Sequence, residues 1–315
     1  MSEIELHRKL LGDRARNEAF HAALKKVITP GKTTLVDIGA GTGFLSFMAR
    51  QLGAKHCTLI EYSDALDLAE DLARKNRISE LTFIKAHSAE INKPPKADVV
   101  ISETLGNYAL EENLLETLVD ARRYLGKNGV IIPGRLRQFA APVIAPRLQN
   151  EIDIWPQVGF EIDLAAARNI SLNNMFVRTL CVDDLAGADS ARCWDDLDFR
   201  ASADKPLSKR SCTVKWTAKD LHGARSVHGW ALWWECELLP GIVISTSPYA
   251  AVTHWEQIYL PLLKAVEIDD GDTLELTLGS DTRPQTGVRV SWRTRLLRAG
   301  KAQSEQSQDI ARGRL

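Results

Sequence analysis

Val36-Asp37-Ile38-Gly39-Ala40-Gly41-Thr42-Gly43 is the stretch on which the fold turns. The apolar, β-branched run Thr34-Leu35-Val36 before it reads as a strand, and Gly43-Phe44-Leu45-Ser46-Phe47-Met48-Ala49-Arg50 has helical periodicity. The glycines therefore fall in a strand-to-helix turn, where backbone passes close to a ligand that a Cβ would exclude. Their spacing is Gly-x-Gly-x-Gly. A dinucleotide fingerprint needs its third small residue one place later, where the bulky Phe44 stands. A turn without that pyrophosphate fit, led by Asp37, suits a nucleoside that lacks phosphates. The apolar run Cys57-Thr58-Leu59-Ile60 ends in Glu61, about 20 residues on, where a carboxylate accepts both ribose hydroxyls. Together these residues predict S-adenosylmethionine as the cofactor.

The chain of 315 residues is long enough for two domains with real cores. Its net charge of −1 gives no global attraction to nucleic acid or to an anionic membrane. Five scattered cysteines include no Cys-x-x-Cys pair, so neither a zinc site nor a disulfide framework is indicated. No apolar leader and no long apolar run occur. The expectation is a soluble, cytoplasmic protein without metal, with no membrane and no nucleic acid among its partners.

The chain changes character near Pro133-Gly134. Before it, short strands at 34–38, 57–61, 81–84 and 98–102 alternate with helical segments at 64–76 and 112–125, which predicts a parallel sheet covered by helices. After it come all eight tryptophans and period-two runs such as Leu274-Glu275-Leu276-Thr277-Leu278, which predict half-buried antiparallel strands. The expected division is 1–133 for the cofactor domain and 134–299 for a β-barrel. The polar segment 300–315, low in apolar residues, is expected to be a disordered tail.

The loop Ser102-Glu103-Thr104-Leu105-Gly106-Asn107-Tyr108-Ala109-Leu110-Glu111-Glu112 follows the buried strand 97–102. In doubly wound sheets ligands lie off the carboxyl ends of the strands, where Glu103 falls. Gly106 and Asn107 let the loop return, so that Glu112 points into the same space. Two carboxylates in one pocket repel unless a cation neutralises both, and a guanidinium fork matches them. Glu111 is assigned to the N-terminal dipole of the next helix.

These residues together resemble the protein arginine methyltransferases. The resemblance rests on Asp-x-Gly-x-Gly-x-Gly, the strand-end Glu61, Ser102-Glu103 with a second glutamate nine places on, and Thr253-His254-Trp255. It covers most of the chain, from about His7 to Gln257, and suggests a compact, bacterial-type member. It implies a Rossmann-like seven-stranded methyltransferase domain followed by a β-barrel domain. A dimerisation arm, near 148–175 and including Trp155, Val158 and Phe160, is implied as well, and with it a homodimer. Carried over residue by residue, Glu103 and Glu112 resemble the glutamates that hold the substrate guanidinium, and Arg16 the arginine that binds the methionine carboxylate. Asp13 and His254 resemble the pair tying the N-terminal helix to the barrel. Asp37, Gly39, Gly41, Gly43, Glu61, Ser88 and Ala89 match cofactor-contacting positions, the last two facing adenine mostly through backbone.

Three departures stand out. The family's aromatic Tyr-Phe-x-x-Tyr stretch has no counterpart before His7, so the lid over the cofactor is expected to be short or supplied differently. Leu10 and Leu114 stand where asymmetric dimethylating members carry methionines. Thr104-Leu105-Gly106-Asn107 replaces an aromatic-rich loop.

The expected reaction is transfer of a methyl group from S-adenosylmethionine to a guanidinium nitrogen of protein arginine. Free arginine or another small guanidino compound is the alternative acceptor, and a catalytically silent, cofactor-binding regulatory partner the alternative of another class. An amide or nucleic-acid N-methyltransferase would carry an Asn/Asp-Pro-Pro-Tyr turn where Ser102-Glu103-Thr104-Leu105 stands. The terminal Arg312-Gly313-Arg314, if disordered, would also be within reach of self-methylation.

Overall fold

Five parallel strands in the order β3-β2-β1-β4-β5 form the sheet of the first half in the computed structural model, which describes residues 3–200, 208–283 and 285–315. The strands are β1 (Thr34–Ile38), β2 (His56–Glu61), β3 (Leu81–Lys85), β4 (Ala97–Ser102) and β5 (Leu125–Ile132). Helices α1 (Glu3–Gly12) and α2 (Arg14–Val27) precede the sheet; α3 (Phe44–Gln51), α4 (Ala65–Lys75) and α5 (Leu114–Ala121) connect its strands. The central strands are buried on both faces, as Leu35, Val36, Leu59, Ile60, Val99, Val100 and Ile101 show, which is why they read as near-continuous apolar runs.

Among the described residues the sheet has five strands, not the expected seven. After β5 the chain passes Pro133-Gly134 and enters β6 (Arg135–Val143), whose partners are all in the second half.

That second half consists of two antiparallel sheets. One runs β7-β12-β10-β6-β8 with β11 on β10, and the other β15-β14-β13-β9. Their strands are β7 (Phe176–Arg178), β8 (Arg192–Asp198), β9 (Lys209–Thr217), β10 (Ser226–Leu239), β11 (Ile242–Ser245), β12 (Gln257–Glu267), β13 (Thr273–Asp281), β14 (Arg289–Arg298) and β15 (Lys301–Asp309). Tryptophans close the barrel core between the sheets. Trp216 and Trp230 lie 4.9 Å apart, Trp230 Nε1 donates to Thr294 Oγ1 at 2.9 Å, and Trp292 Nε1 donates to the Pro261 carbonyl at 2.9 Å.

The expected disordered tail is instead part of the barrel. Residues 301–309 form β15 and pair with β14. Its polar composition is that of an exposed edge strand, whose inward anchors are few: Gln308 and Ile310 are buried, and Gln308 Nε2 donates to the Pro261 carbonyl at 2.8 Å. The terminal turn is tied to Asn174, whose Nδ2 donates to the Gly313 carbonyl at 2.9 Å. A free tail able to present Arg312 or Arg314 to an active site is therefore not what the structure contains.

Between β6 and β7 the chain leaves the barrel as α6 (Arg147–Ile152) and α7 (Ala165–Ser171). Leu148, Ile152 and Leu172 pack on the outer barrel residues Trp233 and Tyr259. The intervening loop exposes Ile154, Val158, Phe160 and Ile162, Phe160 at 89%, while Trp155 is half-buried. Among the described residues no helix is long and apolar enough to cross a membrane.

Candidate active site

Strand order places the site. In β3-β2-β1-β4-β5 the direction of winding reverses between β1 and β4, and the crevice off the carboxyl ends at such a point is where ligands bind. Ile38 of β1 is in register with Ser102 of β4, so Gly39 and Glu103 leave the sheet side by side. A cavity of about 510 Å³ opens there, a size suited to a small-molecule ligand. Arg16, Asp37, Gly39, Gly41, Glu103, Glu111, Glu112 and His254 are among its walls.

The glycine turn has the expected shape. Gly39, Gly41 and Gly43 all adopt positive φ, and Gly43 caps the N-terminus of α3. A Cβ at Gly41 would stand 2.8 Å from His7 Cε1, so α1 lies directly over the turn. This helix lines the cavity with Leu6, His7, Leu10 and Leu11. Asp37 is fully buried; burial, with the Glu61 charge nearby, pushes its carboxyl up to about 7 despite the 2.8 Å bond from the Ser46 hydroxyl. Glu61 ends β2 and accepts the backbone N–H of Gly41 at 3.0 Å and of Ser63 at 2.9 Å. It braces the turn from behind and is not itself on the cavity wall, nor are Gly43, Ser88 and Ala89. Ser88 is held away by its carbonyl, which accepts Tyr124 OH at 2.7 Å and Arg123 Nη2 at 3.0 Å.

Arg16 is nearly buried, and its guanidinium meets Glu103. Both Nε, at 3.0 Å, and Nη2 donate to Glu103 Oε2, while Nη1 donates to Asn17 Oδ1 at 2.9 Å. The expectation that Arg16 serves a carboxylate thus meets one inside the protein. Three of its five N–H donors are committed by these bonds. Glu103 Oε1 accepts the Leu105 N–H at 3.2 Å.

Glu112 lies on the cavity wall, open to solvent at one side. Burial together with the charges of Glu103 and Glu111 pushes its carboxyl up to about 7. Glu111 does not cap α5. Its Oε1 accepts the Asn107 N–H at 2.9 Å, and a Cβ at Gly106 would collide with it, so it closes the loop on itself. The residue before α5 is Asn113, in a left-handed conformation without a side-chain cap.

Asp13 caps α2 through the 2.9 Å bond from Arg16 N. Its Oδ2 accepts both His254 N and His254 Nδ1 at 2.8 Å. Burial raises the Asp13 carboxyl, but these hydrogen bonds outweigh it and hold the group below its ordinary range. The pair ties α2, and hence Arg16, to the barrel.

Three residues hold the acid loop from the barrel side, and of these Trp234 and Glu256 carried no assignment from the sequence. Trp255 Nε1 donates to the Leu105 carbonyl at 2.7 Å, Trp234 Nε1 to the Gly106 carbonyl at 3.0 Å, and Glu256 N to Asn107 Oδ1 at 2.8 Å. Only Trp255 had a local signal, through its place beside Thr253-His254. Among the described residues no group of three or more His, Cys, Asp or Glu side chains is placed to hold a metal ion.

The chain's similarities agree with this geometry. Residues 137–295 match the family model of the arginine methyltransferase oligomerization subdomain, and residues 30–157 that of a methyltransferase domain. Protein arginine N-methyltransferase 6 of Xenopus tropicalis is 29% identical over 306 residues, covering 90% of this chain and 86% of that one. Protein arginine N-methyltransferase 1 of Dictyostelium discoideum is 28% identical over 287 residues, covering 88% and 82%. Among solved structures, the Trypanosoma brucei PRMT1 enzyme–prozyme heterotetrameric complex with AdoHcy superposes with a TM-score of 0.83 at 21% identity, over 97% of both chains. Protein arginine methyltransferase 10 of Arabidopsis thaliana does so with a TM-score of 0.79 at 20% identity, over 96% and 97%. These relatives are eukaryotic and lend no support to a bacterial-type assignment. The subdomain model covers half of the sequence with a match specific to one enzyme class, and this chain belongs to the arginine methyltransferase family.

Proposed function

We propose that this protein transfers a methyl group from S-adenosylmethionine to a guanidinium nitrogen of arginine in proteins. One observation carries the reading: the glycine turn, Arg16 and two converging glutamates share a single cavity at the switch point of the sheet. A turn without dinucleotide spacing and an arginine fit a nucleoside that ends in a carboxylate. A pair of acids fits a cation beside it.

The residues present suit the cofactor. Gly39 and Gly41 present bare backbone to the cavity, where a Cβ would meet Thr104 and His7, and Arg16 keeps two N–H donors for a carboxylate. Glu61 uses two of about four lone-pair sites on backbone, leaving acceptor capacity for ribose hydroxyls. Asp37 lies on the cavity wall at the carboxyl end of β1, whereas Gly43, Ser88 and Ala89 are assigned to the cofactor by the family resemblance alone. When bound, S-adenosylmethionine supplies a methyl group activated by the adjacent sulfonium.

The protein's own part is charge and position. A guanidinium is always protonated in water and is then a poor nucleophile. Glu103 and Glu112 hold it by charge-assisted bonds, draw positive charge away from the attacking nitrogen and receive its proton. Entry of the cation lowers the raised Glu112 carboxyl, because an opposite charge favours the ionised form. The two acids titrate as a coupled pair, so the proton is assigned to both. Fixing nitrogen and methyl in line contributes about 7–11 kcal/mol through orientation alone. Asp13 and His254 act by holding α2 and the barrel loop together around this geometry.

We further propose a homodimer formed through the arm at 148–175, whose exposed Ile154, Val158, Phe160 and Ile162 form an apolar patch. The five free cysteines suit a reducing, cytoplasmic location. The test of the reaction is mass spectrometry of methyl acceptors after incubation with S-adenosylmethionine, offering an Arg-Gly peptide, free arginine and whole lysate in parallel.

A further inference from the structure

Four successive residues of the acid loop, 105 to 108, each form a hydrogen bond to the second domain. The first three bonds are those to Trp255, Trp234 and Glu256. The fourth is made by Tyr108, which is 2% exposed and whose OH donates to Ser280 Oγ at 2.7 Å. Ser280 also accepts Arg210 Nη2 at 2.9 Å, and Arg210 Nε donates to Asp195 Oδ2 at 2.8 Å. Asp195 Oδ2 in turn accepts Gln138 Nε2 at 2.8 Å. The Arg210 and Asp195 side chains are 9% and 7% exposed. This buried chain runs from the acid loop through β13 and β9 to β8 and β6.

None of these five residues is on the cavity wall. Stability alone is a poor account of such a network. Removing an arginine–aspartate pair from water costs free energy, and well-packed apolar residues commonly do as well or better. What a fully satisfied buried network does supply is a single orientation. Tyr108 stands five residues after Glu103 and four before Glu112. An aliphatic side chain there would pack without fixing the depth of the loop, whereas a hydroxyl bonded to Ser280 fixes it.

We propose that the Tyr108–Ser280–Arg210–Asp195 network is a positioning device for the acid pair, setting where Glu103 and Glu112 stand relative to the transferred methyl group. The proposal rests on the guanidinium-holding role given to those glutamates above. Tyr108 and Ser280 are positioning residues, acting through the loop backbone. A misplacement of about 1 Å in such an arrangement can cost about 100-fold in rate.

The test uses the full-length protein with S-adenosylmethionine and an Arg-Gly peptide. It compares Tyr108→Phe, Ser280→Ala, the double variant and Ser280→Thr, with Glu103→Gln as control. The expected result is a fall in kcat of tenfold or more for Tyr108→Phe and for Ser280→Ala. Calorimetric Kd for S-adenosylhomocysteine should stay within twofold. The double variant should fall no further than Ser280→Ala, because that variant already removes the Tyr108 bond along with the one from Arg210. Ser280→Thr, which keeps the hydroxyl, should retain most of kcat. Native kcat in both single variants overturns the proposal. So does a loss of S-adenosylhomocysteine affinity equal to the loss of kcat, which would indicate general loosening. If Tyr108→Phe does not fold, Ser280→Ala decides by the same criteria. Failure is also assignable. An inactive Glu103→Gln beside a native Tyr108→Phe removes only the positioning role, whereas a native Glu103→Gln removes the acid-pair reading itself.

Discussion

Replacing Glu103 with glutamine changes a single atom type at the most consequential contact of the site. In the native protein one carboxylate oxygen receives two N–H groups from Arg16, and the other receives the Leu105 N–H; the side chain is 5% exposed. Two separable effects follow. Arg16, 3% exposed, loses its anionic partner and is left as a buried, uncompensated charge, which costs about 3–5 kcal/mol of folding stability. Turnover loses a charge-assisted contact that strengthens as the guanidinium gives up its proton, which costs about 3 kcal/mol or roughly 10²–10³-fold in kcat. Cofactor binding should respond in the opposite direction. With the Glu103 charge gone, Arg16 is more available to a carboxylate, so the Kd of S-adenosylhomocysteine should be native or tighter. The assay is steady-state kinetics at a temperature where circular dichroism shows the variant folded, with calorimetry on the same sample. Near-native kcat in folded Glu103→Gln would refute the reasoning. Cofactor affinity lost in step with kcat would place Glu103 in the cofactor site instead.

Glu61→Ala removes an acceptor that braces Gly41 and Ser63, and should weaken S-adenosylmethionine binding by about 1.5–3 kcal/mol in calorimetry; unchanged affinity would make it a purely structural acid. Glu112 needs its charge to hold a guanidinium, so with saturating cofactor kcat/KM for the peptide should rise with pH through a limb near 7. Because Glu111 is one of the charges raising Glu112, Glu111→Gln should move that limb to lower pH; a shift upward would contradict the assignment. Deleting residues 300–315 strips β15 from β14 and uncovers the site of Ile310, and should lower unfolding stability by about 2 kcal/mol or more, whereas a disordered tail would be removed without effect. Phe160→Asp on the exposed arm should turn a dimer into a monomer in light scattering; a native protein already monomeric at micromolar concentration would reject the arm as an interface.

The parts of the site that were legible in sequence are those whose chemistry is local. Gly39 and Gly41 declare a left-handed turn by composition, and Glu61 and Glu103 declare themselves as acids, one ending a buried strand and the other directly following one. The parts that were not legible depend on partners remote in sequence. Tyr108 and Ser280 are 172 residues apart, and Trp234 and Gly106 are 128 apart, so no periodicity or spacing announces their bonds. Glu111 was misread because acids before a helix usually serve its dipole, while here the Gly106 backbone leaves a gap that its carboxylate fills. The tail was misread because β15 is an edge strand: Ser304, Gln306 and Gln308 give it no apolar face, and its order comes from hydrogen bonds to β14. The second sheet also explains the strand count, since β6 carries apolar residues for a barrel and not for the parallel sheet.

The central claim is that the two glutamates accept a guanidinium presented by a polypeptide. Purified protein, S-adenosylmethionine with a labelled methyl group, an Arg-Gly peptide and free arginine in one reaction, analysed by fragment mass spectrometry, test it most directly. The expected result is label on a guanidinium nitrogen of the peptide arginine, abolished in Glu103→Gln. Label confined to free arginine would transfer the claim to a small-molecule acceptor. Label on neither, in protein that binds S-adenosylhomocysteine by calorimetry, would contradict the proposed activity.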